Sequence, residues 1–205
     1  MSYSTMHKAA IKFAKDSFEK EMFEAEQERR KPRFGVMGAK SYHHPGDQPD
    51  VKRQYILDGI ILVSYSKPFD DLFEYEPNQV LKNIDNLLLD CVSDDFLKGY
   101  KGAPLPYLNE VKALWVDEKK RCKGNSKARN HRYRLVIQQE GYYGVVVDIE
   151  RLIEFMTLTN CKGGEYYHYN KCFDPVFVEN DLDDNHIEGV LMPMRVFYEE
   201  QCLND

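Results

Sequence analysis

Side chains of metal-ligand type lie close together in the segment YHHPGDQPD at residues 42–50. It holds His43, His44, Asp47 and Asp50, whose ring nitrogens and carboxylate oxygens are common metal ligands. Adjacent histidines in a loop that contains Pro and Gly point in different directions, and no HxH, HExxH or HxD pattern accompanies them. The segment therefore favours an ordinary polar loop. A metal-dependent enzyme that uses His43 and His44 is the least favoured of three hypotheses.

Other signatures of catalysis are absent from the sequence. It contains no GxSxG, no GxxxxGK[ST] and no GxGxxG after a strand. The remaining histidines are isolated in the sequence, which favours surface or strand positions over a catalytic role: His7, His131, His168 and His186. The carboxylate pairs Asp70/Asp71 and Asp183/Asp184 lie in turn-like stretches, where solvated charges are expected. We therefore expect a protein that is not an enzyme, with no catalytic residues, no metal and no cofactor.

A basic segment covers residues 119–134, with the sequence KKRCKGNSKARNHRYR. It contains eight basic and no acidic residues, although the whole chain has a formal net charge of -6. The eight are Lys119, Lys120, Arg121, Lys123, Lys127, Arg129, Arg132 and Arg134. Such a composition is typical of a loop or helix end that contacts phosphates, and Tyr133 sits among the arginines. The alternative is a solvated loop that joins two halves of the chain.

The cysteines and the apolar stretches indicate the compartment. Five cysteines lie far apart without a CxxC spacing, which argues against a disulfide framework and against a zinc site. No stretch approaches the roughly 18 apolar residues of a membrane span. The N-terminal sequence is amphipathic and charged, unlike the apolar core of a signal peptide. We therefore expect an intracellular, cytoplasmic protein with reduced thiols and no membrane partner.

The elements that must position these residues begin with a long helix. Apolar residues recur at helical spacing through residues 4–29, which predicts an amphipathic N-terminal helix. Residues 31–52 are rich in Pro and Gly and predict an irregular segment with at most one short strand at 34–37. Asp58-Gly59 within residues 54–66 predicts a hairpin. A helix near residues 78–88 and another from Tyr107 to Arg121, with Leu108, Val111, Leu114 and Trp115 on one face, are expected next.

The rest of the chain alternates strands with one helix. Strands are predicted at residues 132–139 and 142–147, joined by a turn at Glu140-Gly141, and a helix opened by Asp148 follows. Further strands are predicted within residues 165–170, 175–179 and 188–197. The fold class is therefore α+β, with antiparallel sheet and helices packed on one face. We expect segments at 1–52, 53–130 and 131–205, the last two alternatively forming one domain.

The C-terminal third carries a family resemblance in two short motifs, Asp174-Pro175-Val176 and Met192-Pro193-Met194-Arg195. Their order after two strands and a helix resembles the last domain of bacterial DNA polymerase sliding clamps, over residues 132–196. In that family the Pro-Met pair lines a pocket that captures short linear peptides of polymerases and repair proteins. The resemblance implies that Pro193 and Met194, with Met192 and Arg195 beside them, form a peptide-binding site.

The chemical properties of methionine and proline suit a peptide-binding site. Methionine adapts to varied apolar partners, and proline cannot complete a strand ladder, so both suit a sheet edge where a peptide docks. The alternative is that Met192, Met194 and Val196 are alternating strand residues that face a core.

Two functional hypotheses remain ahead of the enzyme. The first is a non-enzymatic macromolecule-binding protein of DNA metabolism that is sliding-clamp-like. A clamp subunit has three such domains and this chain has room for one or two, so the resemblance implies a shortened relative, as encoded by a phage or mobile element. Its candidate partners are DNA, a protein or peptide, and further copies of itself. The second is an unrelated α+β binding protein whose basic segment contacts nucleic acid or an acidic protein.

Overall fold

The protein has an α+β fold. The computed structural model describes residues 3–30, 35–41, 52–58, 60–67, 69, 103–121, 123, 134–137, 145–164, 166–167 and 175–194. Within these ranges the helices are α1 (Tyr3–Gln27), α2 (Leu108–Arg121) and α3 (Ile149–Leu158). The strands are β1 (Gly35–Ser41), β2 (Lys52–Leu57), β3 (Ile61–Tyr65), β4 (Ala103–Pro104), β5 (Arg134–Ile137), β6 (Val145–Asp148), β7 (Tyr166–Tyr167), β8 (Val176–Leu182) and β9 (Asn185–Leu191).

The main sheet has five antiparallel strands in the order β1-β2-β3-β9-β8. β4 pairs with β7 and β5 pairs with β6, each as a separate two-stranded ladder. The main sheet therefore takes strands from all three of the segments expected at 1–52, 53–130 and 131–205. The division of the chain at these positions stays a prediction.

α1 confirms the predicted N-terminal helix. Its buried stripe consists of Met6, Ala10, Phe13, Ala14 and Ala25, at the spacing of one helix face. The same helical spacing predicts Met22 on this stripe, but Met22 is 39% exposed, and the neighbouring Phe23 is 63% exposed. The last turns of the helix therefore contribute less to the core than the sequence pattern indicates.

The hairpin predicted at Asp58-Gly59 is confirmed by β2 and β3. The Asp58 backbone N–H donates to the Ile61 carbonyl at 3.1 Å. Its Oδ1 accepts from the N–H groups of Ile60 and Ile61 at 3.0 and 2.9 Å. An aspartate that bonds the backbone two residues ahead is the usual reason for its preference at turns.

β1 is longer than the short strand expected at residues 34–37. It runs over seven residues and pairs with β2, with an irregular register between Met37 and Lys40. Pairing with a neighbouring strand supplies backbone hydrogen bonds that the residue types of a Gly-containing segment do not reveal.

α2 and α3 are both confirmed, with adjustments to their inner faces. On α2, Leu108 and Val111 are buried while Leu114 is 45% exposed, so the predicted apolar face is narrower than expected. On α3, the helical spacing predicts that Ile149, Leu152, Ile153 and Met156 face inward. Ile149, Leu152 and Met156 are buried together with Phe155, whereas Ile153 is only partly buried. α3 packs on the sheet because Gly189 of β9 leaves room for Thr159 and Phe155.

β9 ends earlier than the strand expected at residues 188–197. The strand stops at Leu191, and Met192 to Met194 have no strand structure. Pro193 has no N–H to donate to a ladder, which explains the break. Met192 to Met194 therefore do not continue the strand as the alternative expects, and Val196 lies outside the described residues. The helix predicted near 78–88, the turn at Glu140-Gly141 and the loop at 42–50 lie outside the described residues.

Candidate functional site

A groove runs between α1 and α3, and the residues that follow β9 form its floor. It encloses about 880 Å³. The floor consists of Ile60, Asp148, Met192, Pro193 and Met194. Three of the four residues that the sequence assigns to peptide binding are thus brought together at one concave surface, and Arg195 lies outside the described residues.

The floor is fixed through its backbone. The N–H of Met192 donates to the carbonyl of Ile60 and the N–H of Met194 donates to the carbonyl of Val146, each at 2.8 Å. Met192 is 40% exposed, and Pro193 and Met194 are partly exposed. The main chain therefore spans from the start of β3 to β6, while the thioether side chains stay accessible to a partner.

The α3 wall is positioned by a cap at its first turn. Oδ1 of Asp148 accepts hydrogen bonds from the N–H groups of Glu150 and Arg151 at 2.9 and 3.1 Å. A cap of this kind contributes about 1 kcal/mol to helix stability. At the other end, the Tyr65 hydroxyl donates to the carbonyl of Leu158 at 3.0 Å. Both ends of the wall are therefore tied to the sheets.

Arg151 links this wall to the β2–β3 turn. Its Nη1 lies 2.9 Å from Oδ2 of Asp58, whose side chain is 6% exposed, and 2.8 Å from Oε2 of Glu154. Burial lowers the pKa of Arg151, but the charges of Asp58 and Glu154 outweigh it and raise the pKa above its ordinary value. The guanidinium is therefore engaged in holding two elements together.

Glu154 lies on the α3 wall of the groove and is partly buried there. Burial raises the pKa of Glu154 above its ordinary value, and the charge of Arg151 opposes only part of that rise. Ile153, Thr157 and Leu158 add apolar surface and a methyl group to the same wall. The α3 side of the groove thus combines an apolar strip with carboxylates at Glu150 and Glu154.

The α1 wall is mixed in character. It consists of Ala9, Lys12, Phe13, Asp16, Ser17 and Lys20. Phe13 is 8% exposed and anchors the helix, whereas Lys12, Asp16 and Lys20 are exposed on the rim. The two rims differ in sign, with lysines predominating on α1 and carboxylates on α3.

The basic segment is described only in part. Lys119, Lys120 and Lys123 are exposed at the C-terminal end of α2, where Arg121 is the last helical residue. Arg134 begins β5. The other members, Lys127, Arg129 and Arg132, lie outside the described residues. Assignment of the segment to nucleic acid stays a prediction.

A charged cluster on the β8–β9 hairpin surrounds His186, a histidine that is isolated in the sequence. Nδ1 of His186 lies 2.8 Å from Asp181, and its Nε2 lies 3.1 Å from Glu179 and 3.7 Å from Glu188. Glu179 and Glu188 are cross-strand partners, and the Glu188 side chain is fully buried. Hydrogen bonds to Glu179 and Glu188, with a smaller one to Asp181, raise the pKa of His186 to about 10. A register pairing of Asp181 with His186 could have suggested this cluster.

Two further observations concern the described residues alone. They contain no group of three or more His, Cys, Asp or Glu side chains arranged to hold a metal ion. His43 and His44 lie outside those residues. None of the described helices is both long enough and apolar enough to cross a membrane.

Comparisons with known proteins include a distant similarity to a solved structure. No protein-family model matches the chain, and no curated protein matches it. Among solved structures, the H. pylori beta clamp in complex with diflunisal has a TM-score of 0.33 and 11% sequence identity, over 71% of this chain and 42% of that chain. The chain thus spans less than half the length of that protein. A similarity of this extent assigns neither a family nor a function.

Proposed function

We propose that the protein is a non-enzymatic binding protein that receives a short peptide segment of a partner protein in the groove between α1 and α3. One observation carries this proposal. Met192, Pro193 and Met194 are accessible on the floor of a groove of about 880 Å³, while their backbone is fixed at Ile60 and Val146. A rigid main chain with flexible apolar side chains loses little conformational freedom when a partner docks.

The groove chemistry defines the partner segment. Its central side chains are apolar, because they meet Met192, Met194 and Ile153. Its flanks carry charge of both signs, because Lys12 and Lys20 lie on one rim and Glu150 on the other. Arg151 is engaged with Asp58 and Glu154, so its role is to hold the α3 wall in place.

The cellular role is proposed from the sequence motifs. Met192 to Arg195 and Asp174-Pro175-Val176 resemble the last domain of sliding clamps. A peptide groove lined by Met192, Pro193 and Met194 agrees with that resemblance. We therefore propose a sliding-clamp-like protein of DNA metabolism, encoded by a phage or mobile element, that acts in the cytoplasm and associates with further copies of itself.

A selection experiment tests the peptide groove. A displayed library of random short peptides is selected on the immobilised full chain, and the enriched peptides are then measured against Met192→Asp and Val116→Asp. Both residues are exposed and apolar, at 40% and 48%, but only Met192 lines the groove. We expect enriched peptides with apolar centres that bind Val116→Asp normally and lose at least about tenfold in affinity for Met192→Asp, since a charge then occupies the floor.

The control variant decides the reading of that experiment. Equal binding to both variants would place the peptide site elsewhere, and failure of any peptide to enrich over a blank surface would remove the support for a peptide groove.

A second function, nucleic-acid binding through the basic segment, is favoured by a separate observation. Lys119, Lys120 and Lys123 are all exposed at one end of α2, and four further basic residues follow them in the sequence up to Arg134. Lysines in such a group release counterions when they contact phosphates. The same surface also suits an acidic protein partner.

Gel retardation at two salt concentrations tests the second function. The variant Lys119→Gln/Lys120→Gln/Lys123→Gln should bind DNA or RNA more weakly and flatten the salt dependence by about one unit of slope for each lost phosphate contact. Lys15→Gln, an exposed lysine on α1, is the matched control and should change neither quantity. An unchanged slope in the triple variant contradicts this function.

A further inference from the structure

The α1 rim of the groove carries two lysines whose charges are not compensated by an ion pair. Lys12 and Lys20 line the groove and are exposed, and no ion pair joins either ammonium to a residue in the described part of the chain. Both belong to α1, whose rise of about 1.5 Å per residue places them roughly 12 Å apart along the helix axis. Asp16 lies midway between them on the same rim. The rim therefore presents positive charge at two points and negative charge between them.

The α3 rim has an excess of negative charge. Glu150 is exposed on the groove, and its carboxylate makes no ion pair with the described residues. One turn further along α3, Glu154 shares the guanidinium of Arg151 with Asp58, so one negative charge of these three groups is not compensated. Burial raises the pKa of Glu154, and the charges of Asp58 and Glu150 raise it further against the attraction of Arg151. A cation placed against this rim would relieve that repulsion.

We infer that Lys12, Lys20 and Glu150 make the groove specific for a peptide segment that directs two carboxylates, roughly 12 Å apart, toward α1 and a cation toward α3. This inference rests on the peptide groove proposed above and names the charges of its partner. An extended segment advances about 3.3 Å per residue, so its two carboxylates are about four residues apart and point to the same side of the chain. A carboxylate midway between them would face Asp16 and be repelled, so that position is not acidic.

Parallel peptide selections test the α1 rim. The displayed library of random short peptides is selected on the immobilised full chain, on Lys12→Glu/Lys20→Glu, and on Lys8→Glu/Lys15→Glu as the matched control. All four lysines are exposed on α1, but only Lys12 and Lys20 line the groove. We expect the wild type and the control to enrich peptides with paired Asp or Glu. The variant with both groove lysines reversed should enrich Lys or Arg at these positions.

An exchange of charge between peptide and groove measures the contact itself. The peptide most enriched on the wild type should lose at least about fivefold in affinity for Lys12→Glu/Lys20→Glu, because two attractions at an exposed rim become repulsions. A synthetic peptide with Lys in place of its paired acids should regain affinity for this variant. That recovery also shows that the variant is folded.

The α3 rim is tested with its own pair of variants. Glu150→Lys should bind the enriched peptide more weakly, and replacing the basic residue of the peptide by Glu should recover the loss. Glu110→Lys is the matched control and should bind normally, because Glu110 is exposed on α2 and does not line the groove. An unchanged affinity for Glu150→Lys would overturn the role of this rim.

The outcomes separate the inference from the function on which it rests. Peptides that lose affinity for Met192→Asp but show no preference in charge, or that bind both lysine variants equally, would overturn the assigned specificity while the peptide groove stands. Failure of any peptide to enrich over a blank surface would overturn both.

Discussion

The main chain of Met192 and Met194 is held by hydrogen bonds, while the Met192 side chain is exposed and the Met194 side chain is partly buried. Each N–H has a carbonyl partner at 2.8 Å, at Ile60 and Val146 respectively. Their side chains nevertheless line a groove rather than the core. At the scale of the residue, the hydrogen-bonded main chain keeps the floor of the groove in place, while the flexible methionine side chains can adapt to a partner.

The stability cost of truncating Met194 follows from that arrangement. Met194→Ala should lower the free energy of unfolding by about 1–2 kcal/mol, less than a fully buried methionine loses, because the Met194 side chain is only partly buried. Met156→Ala is the matched control, since Met156 is 0% exposed and its truncation should cost roughly 2–5 kcal/mol. Urea unfolding measures both. Equal losses in the two variants would mean that Met194 is a core residue.

His186 stabilises the β8–β9 hairpin through its charge. Glu179, Asp181 and Glu188 face it from the two strands, and they repel one another unless a cation lies between them. The pKa of His186 is raised to about 10, above its ordinary value of 6.5. The resulting stability is fully present below about pH 6.5 and is lost as the pH rises through about 10.

Urea unfolding of the wild type and His186→Gln checks this pH dependence. The wild type should be more stable than the variant at pH 6, and the difference should shrink between pH 7 and pH 10. A comparison between the two proteins removes the titration of other groups, which they share. A difference that stays constant from pH 6 to pH 10 would show that the imidazole acts without its charge.

At the scale of the element, α3 depends on the close approach of its C-terminal end to β9. A Cβ atom at Gly189 would lie 2.4 Å from Cγ2 of Thr159 and 2.7 Å from the Phe155 ring. Thr159 is itself held by a hydrogen bond from its hydroxyl to the carbonyl of Phe155 at 2.8 Å. The wall of the groove therefore stands on a strand position that tolerates no side chain.

Gly189→Ala should destabilise the protein by about 1–3 kcal/mol, the usual cost of forcing extra atoms into a packed core. Adding Thr159→Ser, which removes Cγ2 and keeps the hydroxyl, should recover part of the loss. Thermal or urea unfolding of the single and double variants measures the coupling. Strictly additive effects would contradict the contact between these two positions.

Local elements could be predicted from the sequence where one signal was sufficient. The hairpin at Asp58 and the cap at Asp148 were visible because a side chain bonds its own backbone neighbours. The length of β1 and the end of β9 could not be predicted from the sequence, since each depends on whether a neighbouring strand is there to accept and donate backbone hydrogen bonds. Leu114 was expected to face inward but is 45% exposed, because the buried face of α2 is narrower than the apolar pattern of its sequence indicates.

At the scale of the whole molecule, the groove joins parts of the chain that are far apart in sequence. Its walls come from α1 and α3, and its floor from the residues after β9. The motif Met192 to Arg195 could be recognised in the sequence, but the α1 wall could not, because nothing in the N-terminal pattern specifies its neighbour. The Arg151 link to Asp58 was hidden for the same reason.

The central claim is that the floor of this groove contacts a partner peptide. Methyl NMR of the full chain, labelled at its seven methionines, measures this contact with the most strongly selected peptide. The account predicts that the methyl signals of Met192 and Met194 shift on titration, while those of the buried Met6 and Met156 stay in place. Unchanged signals of Met192 and Met194 at saturating peptide would contradict it.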